Sequence, residues 1–130
     1  MRDFDPQRDA GLVERVAQLA PTPPGSHVRE LLGRYLEQVA TWNRKLDLTA
    51  AKGPEAQVEV MLADAMVLSD PQLCPASARV LDVGTGAGAP IVPLLILRDD
   101  LSAVCLEPLH KRAAFLRTAS ARLGLVHRMK

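Results

Sequence analysis

Glycines at every second position follow a short apolar segment of this sequence. The apolar segment is 80–83, and Gly84, Gly86 and Gly88 come directly after it. Because glycine has no Cβ, these residues can adopt positive φ and allow backbone N–H groups to approach a ligand closely. Asp82 lies two residues before the first glycine, at the predicted carboxyl end of a strand, where open α/β sheets bind ligands. The pattern predicts a site for a nucleoside-containing cofactor.

An acidic residue follows the next apolar segment of the chain. Residues 103–106 are predicted to form a second strand, and Glu107 comes at its end, roughly 20 residues after the glycines. An acid at this distance is suited to accept hydrogen bonds from ribose hydroxyls. Strand, glycine loop, helix, strand and acid together make half of a nucleoside-cofactor site.

The motif is compatible with two kinds of cofactor. The dinucleotide pattern G-x-G-x-x-G/A fits Gly84, Gly86 and Ala89, which leaves a nicotinamide or flavin cofactor open. An acid two residues before a G-x-G-x-G loop is more typical of methyltransferases that use S-adenosylmethionine (SAM). A loop kept only for tight strand-to-helix packing, with Asp82 bonded to loop amides, is the third alternative. We favour SAM, and the predicted cofactor-binding residues are Asp82, Gly84, Gly86, Gly88, Ala89 and Glu107.

The elements that position these residues indicate an α/β fold. Apolar residues at helical spacing predict helices before residue 79, and the sheet is expected to begin at Arg79. We therefore predict N-terminal helices followed by an incomplete parallel sheet, in a Rossmann-like SAM-dependent methyltransferase fold. The predicted divisions are an N-terminal helix with a proline-rich linker (1–25), a helical segment (26–78) and the first part of the SAM-binding domain (79–130).

The segments after the glycine loop complete this prediction. Residues 91–97 are almost wholly apolar, so their helix must be deeply buried. The last helix is predicted to run from Leu109 to Leu123 and to stop at Gly124. Leu125 and Val126 are expected to open a third strand.

Composition sets further bounds. With 130 residues, 48% hydrophobic and 24% charged, the chain is predicted to be a single globular domain at most. No apolar run reaches membrane-spanning length and no signal peptide is recognisable, so a cytoplasmic location is expected. Cys74 and Cys105 lie in no redox or metal motif and are expected to be reduced. The three histidines share no metal-ligand spacing, so no metal site is predicted.

The charge is unevenly distributed along the chain. Residues 1–107 contain all fifteen acids, whereas residues 108–130 contain six Lys or Arg and no acid. This basic end could bind RNA phosphates, or it could be an ordinary solvated helix face. Arg117 and Arg122 are expected to point toward solvent, opposite an apolar stripe.

Four segments of the chain resemble the RsmG/GidB family, also called glucose-inhibited division protein B. Trp42–Ala50 resembles the family's W-N-x-x-x-N-L-T segment, and 62–65 resembles its H-L-L-D-S helix. Residues 81–93 resemble L-D-V-G-S-G-A-G-F-P-G-I-P, and 111–117 resemble K-R-x-x-F-L-R. The resemblance covers about residues 26–127. It departs at Asp47, Met61, Ala89 and Ile91, where the family has Asn, His, a bulky apolar residue and Gly.

The resemblance implies a function and a substrate. The family methylates N7 of a guanine in 16S rRNA with SAM, so 16S rRNA or the small ribosomal subunit is the implied partner, and a membrane is not. The family's domain continues through further strands, which makes this chain resemble a truncated form whose own activity is uncertain. The alternative is a non-catalytic RNA- or protein-binding module, and an open sheet edge would permit a homo-oligomer. No catalytic residue is assigned.

Overall fold

The computed structural model describes residues 2–130. Three helices precede the sheet, and the remaining two helices alternate with its strands. In chain order the elements are α1 (Ala10–Ala17), α2 (Ser26–Asn43), α3 (Gly53–Leu68), β1 (Arg79–Val83), α4 (Ile91–Leu97), β2 (Ser102–Leu106) and α5 (His110–Arg122). This arrangement confirms the predicted α/β class and is an incomplete Rossmann-like fold.

The helices form where apolar residues recur at helical spacing. In α2 the buried side chains include Leu32, Tyr35, Leu36 and Val39, which pack in one core with α3, α4 and α5. Pro54 occupies the first turn of α3, where the absence of an N–H costs little. None of the helices between residues 2 and 130 combines the length and hydropathy needed to cross a bilayer.

The sheet is parallel, with β1 beside β2. The register places Arg79 opposite Ser102 and Asp82 opposite Cys105. The connecting helix α4 is buried from Ile91 through Ile96, as its sequence predicted. Such burial is expected of a crossover helix packed between a parallel sheet and other helices.

Only one face of this sheet is covered by the described residues. Alternate residues of a strand point to opposite faces, and Ala103 points into the core with 4% of its surface exposed. The opposite face carries four aliphatic side chains that are 38–71% exposed. We call these residues the open face, and they are Leu81, Val83, Val104 and Leu106.

The prediction of a third strand at Leu125 and Val126 is wrong. The Leu125 carbonyl accepts hydrogen bonds from the N–H groups of Arg128 and Met129, at 2.9 and 3.0 Å, so this segment forms a turn. The first contact of the C-terminal segment with the sheet comes later, as a parallel bridge between Met129 and Ala103. Within the turn, the Leu125 carbonyl and the N–H groups of Arg128 and Met129 bond to each other and not to β2.

The Arg128 side chain joins the C-terminal turn to the connection between α4 and β2. Its guanidinium donates hydrogen bonds to the carbonyls of Leu95, Arg98 and Leu101, at 2.8 to 3.0 Å. These carbonyls lie at the end of α4 and in the segment that follows, where helical partners are lacking. Arg128 therefore stabilises the α4–β2 connection. From the sequence alone it was only one of the basic residues at the C-terminal end.

Candidate cofactor site

The glycine loop lies at the carboxyl end of both strands. Gly84, Gly86 and Gly88 have φ values of +74°, +60° and +93°, which confirms the predicted positive-φ backbone. The Gly84 N–H donates to the Leu106 carbonyl at 2.7 Å, so the loop begins where β1 and β2 stop pairing. Backbone in this conformation strongly favours glycine because a Cβ would be strained.

The three glycines face different surroundings. A Cβ placed on Gly84 would meet no atom within 4 Å, and one on Gly86 would meet only the Gly84 carbonyl oxygen, at 3.9 Å. On Gly88 it would lie 2.7 Å from Val92 Cγ2 and 3.2 Å from Leu116 Cδ2. Gly84 and Gly86 therefore leave space open above the loop, whereas Gly88 allows the loop to pack on the core.

Glu107 holds the loop against the end of β2. Its Oε1 accepts a hydrogen bond from the Gly86 N–H at 2.8 Å, and its Oε2 accepts one from the Leu109 N–H at 2.9 Å. These two bonds, the one from Leu109 first, lower the pKa of the carboxyl below its ordinary value, and the charge of Arg112 adds to the shift. Each carboxylate oxygen can still accept a further hydrogen bond. The predicted ribose acceptor is thus close to the loop.

Replacing Glu107 with glutamine is expected to destabilise the chain in a pH-dependent way. The amide oxygen of the glutamine would accept a hydrogen bond from Gly86, but its NH2 group would face the Leu109 N–H. Because the folded-state pKa of Glu107 is depressed, its stabilisation is present above the unfolded-state pKa and is lost as pH falls through the folded-state pKa. We expect Glu107→Gln to lower the urea midpoint at pH 7 and to match the wild type at strongly acidic pH. A pH-independent difference would contradict this.

The Asp82 side chain does not take the structural role that the packing alternative gave it. It does not bond to loop amides; the Asp82 backbone carbonyl accepts a hydrogen bond from the Thr85 hydroxyl at 3.3 Å. The Oδ2 atom is buried without a hydrogen-bond partner among residues 2–130. An unsatisfied buried acceptor costs about 1–3 kcal/mol. Asp82 is therefore able to accept a hydrogen bond from a water or ligand donor.

Ala89 completes the set of predicted site residues. It is half-buried and packs against the core immediately before Pro90, which precedes α4. The structure thus brings the glycine loop and Glu107 together, with Asp82 at the end of β1 beneath the loop. Contact of all six residues with a cofactor remains a prediction.

Tyr35 supports the loop from below and was not singled out in the sequence. It is fully buried, and its hydroxyl donates to the Ala87 carbonyl at 2.7 Å. Burial raises the pKa of this hydroxyl, so it stays protonated and available as a donor. The sequence did contain an indication of this role, because a tyrosine in an apolar helix stripe needs a hydrogen-bond acceptor when it is buried.

The tryptophan segment supports the site through packing and turn formation. Trp42 is half-buried against Phe115, with ring centroids 5.5 Å apart in an edge arrangement. The Asn43 Oδ1 accepts hydrogen bonds from the N–H groups of Leu48 and Thr49, at 2.8 and 3.0 Å. The Thr49 hydroxyl oxygen accepts one from Ala51. Asn43 and Thr49 therefore shape the turn after α2.

Neither cysteine forms a disulfide within the described residues. Cys74 and Cys105 are free, and burial raises the pKa of the Cys105 thiol. Within residues 2–130 no group of His, Cys, Asp or Glu side chains could hold a metal ion.

Comparison with known proteins gives a consistent assignment. Residues 28–129 match the GidB family model, described as rRNA small subunit methyltransferase G. Two proteins named ribosomal RNA small subunit methyltransferase G, from Anaeromyxobacter dehalogenans strains 2CP-C and 2CP-1, are 40% and 43% identical over 103 residues. Those matches cover 79% of this chain and 47% of each relative.

A relative of the same name from Chromobacterium violaceum is 40% identical over 116 residues, which are 89% of this chain and 54% of that protein. The chain thus spans about half the length of the curated relatives it matches. The matched range contains the glycine loop, Glu107 and Tyr35, and the identity extends well beyond the loop itself. The chain belongs to the GidB family of small-subunit rRNA methyltransferases.

Proposed function

We propose that this chain forms the cofactor-binding half of a SAM-dependent methyltransferase that acts on N7 of a guanine in 16S rRNA. One observation carries the proposal: a positive-φ glycine loop with open space at Gly84 and Gly86 is bonded to an acidic residue at the end of the next strand. The names of the relatives describe methyltransferases of small-subunit rRNA. The loop geometry supports a ligand that approaches the backbone closely.

The residues present fit SAM. Glu107 has acceptor capacity left for the ribose hydroxyls. Gly84 and Gly86 leave room for the nucleoside and its sulfonium-bearing chain, and Asp82 has a buried oxygen without a partner among the described residues. When bound, SAM would supply an electrophilic methyl group. The chain would hold the cofactor and orient that group.

The proposed reaction explains why no acid–base pair is needed. N7 of guanine carries a lone pair and no proton, so its attack on the methyl carbon requires no general base. The reaction depends chiefly on alignment of N7, the methyl carbon and the departing sulfur. A rigid loop at the end of β1, supported by Tyr35 and bonded to Glu107, suits that task.

Calorimetric titration with SAM and with NAD tests the proposal. We expect the wild-type chain to bind SAM and not NAD, and Gly86→Val to weaken SAM binding at least tenfold. The valine side chain would enter the open space above the loop, where the ligand is expected.

Gly124→Val provides the matched control. Gly124 also has positive φ, at +72°, and a Cβ there would meet no atom within 4 Å, but it lies after α5 and outside the loop. The valine at position 124 imposes similar backbone strain, but its side chain does not enter the proposed site. Binding of NAD in place of SAM, or equal SAM affinity in the Gly86 and Gly124 variants, would contradict the proposal.

A further inference from the structure

A basic cleft lies beside the glycine loop. It separates the turn that follows α2 from the first turn of α5 and has a volume of about 470 Å³. Residues from both segments line it, although they are more than sixty positions apart in the sequence. The lining residues used below are Lys45, Leu46, Asp47, Leu109, Lys111 and Arg112.

Hydrogen bonds hold the two walls of the cleft in place. The Arg112 Nη2 donates to the Asp47 carbonyl at 2.9 Å, which joins α5 to the turn. The Asn43 side chain fixes the following backbone through its bonds to Leu48 and Thr49. The backbone of both walls is therefore held in place by the fold.

The cleft carries excess positive charge. Lys45 and Lys111 are exposed and Arg112 is half-buried, while Asp47 is the one acid in the lining. Among residues 2–130, no ion pair involves Lys45, Lys111 or Arg112, whereas neighbouring Arg44 is paired with Asp3 at 2.9 Å. Lys45 and Lys111 are thus available to anionic groups of a ligand, whereas Arg112 is bonded to the Asp47 carbonyl.

Apolar surface accompanies this charge. Leu109 is 53% exposed at the edge of the cleft, and Leu46 is half-buried in its lining. Lysines can contact the phosphates of a nucleic acid, and apolar side chains can contact its bases.

The cleft and the proposed cofactor site are linked through Glu107. The Leu109 N–H donates to the Glu107 Oε2 at 2.9 Å, and Arg112 is close enough for its charge to lower the pKa of Glu107. Only Pro108 separates Glu107 from Leu109 along the chain. A nucleotide chain lying in the cleft would therefore pass beside the loop.

We propose that this cleft binds the backbone of a single-stranded RNA segment adjacent to the nucleotide that is methylated, with Lys45 and Lys111 contacting its phosphates. The inference rests on the proposed function for the identity of the substrate. It goes further by assigning RNA contact to a surface built from two distant segments, and not to the outer face of α5.

Fluorescence anisotropy with a labelled single-stranded RNA oligonucleotide, without SAM, tests the inference. The double variant Lys45→Ala/Lys111→Ala should bind at least tenfold more weakly at low salt. Loss of two phosphate contacts should also flatten the slope of log K against log salt by about 1.4, at about 0.7 per contact. The comparison variant is Arg117→Ala/Arg122→Ala, which removes the same charge from exposed positions of α5 and should change the affinity less than twofold.

Three results would overturn the inference: equal losses in the two double variants, no loss in either, or competition by polyglutamate as effective as that by unlabelled RNA. Urea unfolding of both variants verifies that they fold, which is expected because the four side chains are exposed. SAM titration of the Lys45/Lys111 variant separates the two proposals. Normal SAM binding with unaltered RNA binding would overturn the cleft alone, and absence of SAM binding in the wild type would overturn the proposed function alone.

Discussion

Replacing Gly88 with alanine is expected to lower the free energy of unfolding by about 2–6 kcal/mol. The added Cβ would lie 2.7 Å from Val92 Cγ2 and 3.2 Å from Leu116 Cδ2, so the loop must shift relative to Val92 and the Leu116 side chain must also move slightly. Overpacking of this kind typically costs about 1–3 kcal/mol. The φ of +93° adds backbone strain of about 1–3 kcal/mol. Both effects act at the point where the loop rests on the core.

Gly84→Ala is the control for this prediction. It imposes a residue with a Cβ on a similar positive φ, +74°, but meets no atom within 4 Å. We expect a loss of about 1–2 kcal/mol from the left-handed conformation alone. Urea unfolding followed by circular dichroism measures both variants. Equal losses at the two positions would show that packing under Gly88 contributes nothing.

The double variant Val83→Thr/Val104→Thr is expected to reduce self-association of the 130-residue chain markedly. These two residues lie on the open face, where they are 71% and 38% exposed. A contiguous exposed apolar face promotes association because covering it removes apolar surface from water. Threonine keeps the branched shape and the strand preference of valine, so the sheet itself should persist. Sedimentation velocity over a range of protein concentrations measures the effect.

Val60→Thr/Val67→Thr is the matched control. These valines are 54% and 48% exposed on α3, away from the sheet. They lose the same methyl groups from similarly exposed positions and should leave association unchanged. An equal reduction by both double variants would mean that the open face has no special role, and a wild type that stays monomeric at every concentration would contradict the prediction outright.

The open face is unusual for a parallel sheet. Parallel sheets are normally covered by helices on both faces, and here α4 and α5 belong to the covered side. The chain spans about half the length of the relatives it matches. Leu81, Val83, Val104 and Leu106 are 38–71% exposed, and these four aliphatic side chains are the basis of the expected association.

The local features of the site followed from the sequence alone. Alternating glycines after an apolar segment predicted the positive-φ loop, and the apolar runs predicted β1, β2 and the buried α4. These features are readable because they depend on neighbouring residues: a missing Cβ permits the backbone conformation, and a helix that is apolar on every side, such as α4, is buried. The family resemblance was also readable from the sequence, because four segments match the family's motifs in the same order along the chain.

What only the tertiary structure decided is which distant groups meet. Local periodicity could not show that Tyr35 would bond to Ala87, or that Gly88 would differ from Gly84 in its neighbours. The third strand was misplaced because the Leu125 carbonyl accepts hydrogen bonds from the N–H groups of Arg128 and Met129 in a turn, and contact with β2 begins only near Met129.

The cleft depends on the same kind of contact between distant segments. Lys45 and Lys111 share it because α2 and α5 pack through Trp42 and Phe115, and because Arg112 bonds to the turn at Asp47. The sequence determined each local conformation, since each depends on steric and apolar properties of adjacent residues. Hydrogen-bond partners, shared clefts and uncovered faces were decided by packing, because they depend on residues far apart in the chain.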